Sequence, residues 1–300
     1  MRQVQIPEGV DTASAACGAI WSNDGERAFV ADTEFRRGDQ IVFATNSLGC
    51  IGSEPTAGTP PVLFVGDELL LGPFWTGATP WPNLLAERGF AVVNGAFPGL
   101  GFADILDRHG RLRDRLGTVS GVVASGSWRD IEASRSNAEL VDATRRFLEA
   151  LRPGGTLLVA TMPYGFSPKG GAEDWTQTAG KVGVDPAKFF LGAMPDGESL
   201  ARHAAVLHCY NDTVRQFCQD HGAVLIDMDA MLSPRTIVTA LKDFADIRTF
   251  TPKVSSKASN FAHGILLDTV GAPQAAAITE KQDADTGSLQ SLRKNIYPLW

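Results

Sequence analysis

Five short apolar runs, at 62–65, 91–94, 121–124, 156–161 and 223–226, alternate along the chain with longer amphipathic stretches. Near-continuous apolarity over so short a span marks a strand buried on both faces, and the intervening stretches have the length and spacing of helices. The alternation predicts a five-stranded parallel sheet covered by helices on both faces, an α/β three-layer sandwich. Helix signals fall at 83–88, opened by Trp81-Pro82; at 102–109, ending at Gly110; at 130–151, ending before Pro153-Gly154-Gly155; at 199–221, closed by Gly222; and at 273–281, with Pro273 in first position. Within 130–151, Leu140, Val141, Ala143, Phe147, Leu148 and Leu151 recur at helical spacing and predict a core-facing stripe.

The first sixty residues read differently. Short strand-like pieces at 28–31 and 40–45 are separated by Gly, Asp and Asn, and 53–61 is rich in Pro and Gly. This predicts a small β-rich N-terminal lobe and linker over 1–60, followed by the main domain over 61–300. A Gly-rich tract at 163–198 carries Trp175, Phe189 and Phe190. An irregular connection of that length inside a compact domain points to a lid or substrate-binding insertion.

Three hundred residues at 44% hydrophobic composition suffice for a full core, and a net charge of −7 with no Lys/Arg cluster argues against a nucleic-acid partner. The expected partner is a small molecule. The N-terminus lacks the apolar segment of a signal peptide and no apolar stretch has bilayer-spanning length, so a cytoplasmic protein without a membrane partner is expected. The four cysteines show no C-x-x-C spacing, His203 and His208 stand five apart rather than four, and Asp227 and Asp229 read as caps for the following segment. No metal or cofactor is expected. His109 and His221, each before a glycine, read as helix ends.

Four blocks then narrow the reading: Thr45-Asn46-Ser47-Leu48-Gly49, Gly66-Asp67-Glu68-Leu69, Trp81-Pro82-Asn83-Leu84-Leu85, and Val93-Asn94-Gly95-Ala96-Phe97-Pro98-Gly99. In this order, after these strands, they resemble the SGNH, or GDSL-type, hydrolases over about residues 45 to 165. The resemblance implies a flavodoxin-like fold with its site at the carboxyl ends of the strands. It also implies a serine after Gly-Asp, a glycine N–H and an asparagine for the oxyanion, and a final Asp-x-x-His. Here Glu68 follows Gly-Asp, Gly99 keeps the glycine position, and Ser125-Gly126-Ser127-Trp128-Arg129-Asp130 puts Arg129 near the asparagine position. Asn260-Phe261-Ala262-His263 fits the last block with Asn260 for aspartate; a rival register, Asp268-Thr269-Val270-Gly271, keeps the aspartate and loses the histidine.

A glutamate at the strand tip cannot repeat the serine cycle, because it is ionised near neutrality, is a poor acyl nucleophile, and would give an anhydride. Two readings are open. In the first, Glu68 and His263 act as acid and base on a small polar or anionic substrate held by Arg129, with Asp67, Gly99, Trp128 and Asn260 on the oxyanion or substrate side. In the second, Glu68 and Arg129 form an ion pair in a non-catalytic protein that binds a ligand or partner. Residual acyl transfer would need another nucleophile, Ser125 or Ser127, neither of which lies in a Gly-x-Ser-x-Gly elbow.

Overall fold

The computed structural model describes residues 2–5, 28–55, 58–72, 74, 78–152, 155–166, 171–192 and 195–271. The expected helix at 273–281, Cys17 and Trp75 lie outside the described residues. In the N-terminal part, β1 (Arg2–Gln5) runs parallel to β2 (Thr33–Arg37), which pairs antiparallel with β3 (Gln40–Ala44). The apolar runs form β4 (Val62–Val65), β5 (Val92–Asn94), β6 (Gly121–Ala124), β7 (Leu157–Ala160) and β8 (Val224–Ile226). All five are parallel, in the order β5-β4-β6-β7-β8. Every residue of β4, β6 and β7 is buried, as strands covered on both faces must be. Chain direction reverses across the sheet at β4, so the crevice beyond its carboxyl end is where an open α/β sheet offers a site.

Helices α1 (Trp81–Ala86), α2 (Phe102–Leu116), α3 (Trp128–Ala133) and α4 (Asn137–Leu151) follow the first strands. The chain passes through Gly110 rather than ending there: Ile105, Arg108 and Leu112 carry a continuous buried stripe, and Gly110 sits on the exposed face, where its cost is about 1 kcal/mol. The single helix expected at 130–151 is two, because Ser136 accepts a hydrogen bond from the Glu139 amide and starts α4 afresh. The 163–198 tract contains α5 (Ala172–Val182) and α6 (Pro186–Phe189), whose Trp175, Phe189 and Phe190 are buried against one another with ring centroids 5.1–5.7 Å apart. Then come α7 (Gly197–His221), α8 (Met228–Leu232), α9 (Ile237–Asp243), a hairpin of β9 (Phe244–Asp246) and β10 (Thr249–Phe250), and α10 (Pro252–Val270). Helix α10 packs with α1, whereas α4 packs with α2 and α7, giving the two helical layers. Among the described residues no helix is long and apolar enough to cross a membrane.

The N-terminal sheet is joined to the main one through its side chains. Phe29 touches Phe35, Phe43 and Phe74 and approaches Phe97, after β5, to a centroid distance of 4.7 Å. Ile51 bridges both Thr45 and Asn94, carrying the edge of the main sheet toward β3. Beneath this seam Arg108, 2% exposed, donates from Nε to the Gly95 carbonyl and from Nη2 to the Gly49 carbonyl at 3.0 Å. A buried guanidinium is tolerated only when its donors find acceptors, and the acceptors here are main-chain carbonyls on either side of the seam. Replacing it by leucine strands those carbonyls without donors, so Arg108→Leu is expected to lower unfolding free energy by about 2–4 kcal/mol in a denaturant titration.

Candidate functional site

The site begins where β4 ends. A side chain at Gly66 would overlap the Ser125 hydroxyl, so glycine is what allows the exits of β4 and β6 to lie against each other. The chain then turns through a single 3₁₀ turn, Glu68–Leu70, capped by Asp67. Asp67 is fully buried; its Oδ2 accepts from the Trp128 amide at 2.6 Å and its Oδ1 from the Leu69 amide at 3.4 Å. The tip of β4 is thereby tied to the start of α3.

Glu68 is also buried, and its Oε1 lies 4.0 Å from Arg248 Nη1. Arg248 stands in the turn between β9 and β10, donates from Nη2 to both Glu132 oxygens at 2.8 Å, and places its guanidinium 5.7 Å from the Trp128 ring centroid. The turn is held by Asp246, whose Oδ1 accepts from the amides of Arg248 at 2.8 Å and Thr249 at 3.0 Å. Side-chain atoms Glu68 Oε2, Trp128 Nε1, Arg248 Nε and Thr249 Oγ1 are buried with no hydrogen-bond partner among the described residues. Burial without a partner is costly, so polar atoms left in this state mark a place where water or a ligand belongs.

Several carboxyl groups thus share one guanidinium. Burial, then the neighbouring Glu68 charge, raise the Asp67 carboxyl well above the usual range. Burial raises Glu68 as well, against the opposing pull of Arg248, and burial raises Asp246. Burial disfavours the Arg248 charge, but Glu132 and Glu68 outweigh it and hold the guanidinium more firmly protonated than usual. Burial thus pushes both members of the pair toward the protonated form.

Of the residues singled out from the sequence, Asp67, Glu68 and Trp128 come together here. Gly99 follows β5 at the same edge of the sheet, exposed and with φ of 69°. Arg129 does not join them: its side chain is 53% exposed and its Nη1 pairs with Asp104 Oδ2 at 2.8 Å. Asn260 and His263 are not in a loop but on α10, where Asn260 accepts from Arg88 and the His263 ring meets Phe90 edge-on at 5.7 Å. Phe90 lies before the first residue of β5, at the amino edge of the sheet, whereas Glu68 lies beyond the carboxyl edge, so a strand length of more than about 10 Å separates the two levels. The rival register at 268–271 falls at the end of the same helix.

Sequence reasoning missed Arg248, Glu132, Asp246 and Thr249. One signal was available: Asp246-Ile247-Arg248-Thr249 keeps the Asp-x-x spacing between Phe244 and Phe250, with threonine in final position. The other polar residues have structural partners. Asp227 and Asp229 share Arg215 at 2.7–2.9 Å, and Asp227 caps α8 as expected. His109 lies inside α2 rather than at its end, half-buried, its imidazole made less basic by burial and Arg113. Among the described residues no group of side chains could hold a metal ion.

No family profile matches this sequence, and no curated protein sequence does. Solved structures do align. An α/β hydrolase from the metagenome of Lake Arreo, Spain, aligns at 15% identity over 73% of this chain and 98% of its own, with a TM-score of 0.44. A protein classed as an SGNH hydrolase, from Slackia heliotrinireducens, aligns at 19% over 69% and 98%, with a TM-score of 0.45. An acetyl xylan esterase from Geobacillus stearothermophilus aligns at 15% over 72% and 96%, with a TM-score of 0.44.

The raised carboxyls fix the sign of a pH effect. A carboxyl whose folded value exceeds its unfolded one binds its proton more tightly when folded, so its contribution is largest in acid and is lost as pH rises through the folded value. Asp67→Asn is therefore expected to flatten the fall in stability as pH rises above the ordinary carboxylate range, measured by denaturant titration at each pH. Arg248→Met, which leaves Glu68 buried without a counter-charge, should cost about 3 kcal/mol at the alkaline end and less in acid, where Glu68 holds a proton.

Proposed function

We propose that this chain is an SGNH-like protein without serine-esterase chemistry, whose charged cleft at the tip of β4 holds a small polar ligand. The observation that carries this reading is the Glu68 carboxylate facing Arg248 at 4.0 Å, where acyl transfer requires a hydroxyl beside an imidazole. Aligned on the resemblance, Glu68 takes the place of the serine, and with Asp246 as the aspartate of the last block Thr249 takes the place of the histidine. A threonine hydroxyl cannot accept the nucleophile's proton near neutral pH, and a carboxylate gives no stable acyl adduct. The two serines after β6 do not supply the missing nucleophile. Ser125 is fully buried, and the Ser127 hydroxyl, with one proton to give, lies between two acceptors, the Leu100 carbonyl at 2.7 Å and the Asp130 carboxylate at 2.8 Å, while accepting from the Asp130 amide.

A second reading has its own support. Asp67 and Glu68 are adjacent buried carboxyls, both shifted upward by burial, and a carboxyl moved toward neutrality beside a second one is the pattern used for acid–base catalysis without histidine. Glu68→Gln separates the two, since it preserves shape and removes the titrating group. The binding reading expects that the wild type is not labelled by a serine-reactive fluorophosphonate and does not hydrolyse short-chain aryl esters above the rate of heat-denatured protein. Turnover of any member of an ester and glycoside panel that disappears in a folded Glu68→Gln variant transfers support to the acid–base reading. Labelling of the wild type abandons both.

A further inference from the structure

Beside the cleft, between α3 and the first half of α7, lies a groove of about 340 Å³. It shares Trp128 and Glu132 with the Glu68–Arg248 site, and Ser134, Arg135, Arg202 and His203 complete its polar lining. Their charge is out of keeping with a chain of net charge −7. Among the described residues Arg135, Arg202 and His203 form no ion pair; the only side-chain bond of Arg202 there is to the Ser199 hydroxyl at 3.5 Å, and its charge helps the Ser199 hydrogen bonds to hold down the carboxyl of exposed Asp196. The one carboxylate in the wall, Glu132, has both oxygens committed to Arg248. The rest of the wall is apolar, including buried Ile131 and Leu207, and the indole N–H of Trp128 is buried without a partner among the described residues.

Two arginines without an ion pair beside a partly apolar wall suit an anion, because a guanidinium fork matches the oxygens of a carboxylate or phosphate while the apolar part of the wall rewards a hydrophobic body. The volume lies at the small end of the range for ligand pockets, which suits a single ring or a short acyl chain. We propose that this groove binds a small organic anion, with its carboxylate or phosphate head on Arg135, Arg202 and His203 and its apolar body against Trp128, Ile131 and Leu207. This names the ligand class for the binding reading above and rests on it only for the groove's continuity with the cleft.

The test is calorimetric titration of the full chain with benzoate, phenyl phosphate, inorganic phosphate and benzylamine, comparing the wild type with Arg135→Gln/Arg202→Gln. Both arginines are exposed, so the double variant keeps the fold, which its melting temperature verifies. Saturable binding of benzoate or phenyl phosphate is expected, with at least about tenfold weaker affinity in the double variant and none for benzylamine. Whichever of the two aryl anions binds more tightly identifies the head group. The inference is overturned if neither aryl anion binds, if the double variant binds them unchanged, or if benzylamine binds equally well. Inorganic phosphate binding as tightly as phenyl phosphate overturns the part given to the apolar wall. Failure here with no fluorophosphonate labelling removes the groove alone; labelling removes the non-esterolytic reading and leaves the groove to stand or fall on these titrations.

Discussion

Two adjacent carboxyl groups buried at the tip of the central strand set the terms for everything around them. Asp67 and Glu68 cannot both be ionised in a dry site without compensation, since each buried charge costs several kcal/mol unless it is paired and hydrogen-bonded. Asp67 meets the amides of Trp128 and Leu69, and Glu68 meets Arg248. The first contact fixes where α3 begins and so where the Trp128 indole stands; the second requires a cation delivered from a segment far along the chain, beyond the last strand of the main sheet.

Delivery of that cation explains a part of the chain that otherwise looks like decoration. The turn carrying Arg248 sits so close to Gly165 that a side chain there would overlap the Ile247 main chain, and the Ile247 amide donates to the Phe189 carbonyl at 3.0 Å. Phe189 is held in turn by Trp175 and Phe190. The described residues of this tract therefore meet the hairpin through main-chain contacts, at Gly165 and Phe189, and the aromatic cluster of Trp175, Phe189 and Phe190 holds Phe189 in place. Asp246 completes the arrangement from within by accepting two amides of its own turn, a local bond that sets the backbone from which the guanidinium projects.

The five strands of the main sheet were legible because each is an apolar run bounded by turn residues, and burial on both faces leaves no other reading of Val62–Val65 or Gly121–Ala124. The tip of β4 was legible for the same reason: residues that leave a buried strand through a glycine stand in the crevice. The partner of Glu68 was not. Arg129 neighbours Trp128 in sequence, but one helical step turns it outward to Asp104, and Arg248 reaches the site only because a short hairpin, invisible to periodicity, folds it inward. His263 misled because an Asn-x-x-His spacing takes no account of its setting. Ala258, Ala262 and Leu266 recur every four residues as one buried face of α10, a pattern that marks 260–263 as mid-helix and leaves His263 against Phe90.

Arg248 faces two carboxylates, and magnitudes separate their roles. The contact to Glu132 is the shorter, 2.8 Å to each oxygen, but Glu132 is 33% exposed, where water and salt reduce an ion pair to at most about 1 kcal/mol. Glu68 is further away, at 4.0 Å, yet only 10% of its side chain is exposed; at an effective dielectric constant of about 20 the gross attraction at that distance is about 4 kcal/mol, against about 1 kcal/mol in water. Removing Arg248 from Glu68 also strands a buried charge, whereas removing it from Glu132 returns a carboxylate to solvent. Both therefore hold the guanidinium in different ways: Glu132 contributes more to its raised basicity through two short bonds, and Glu68 is the contact whose loss strands a buried charge.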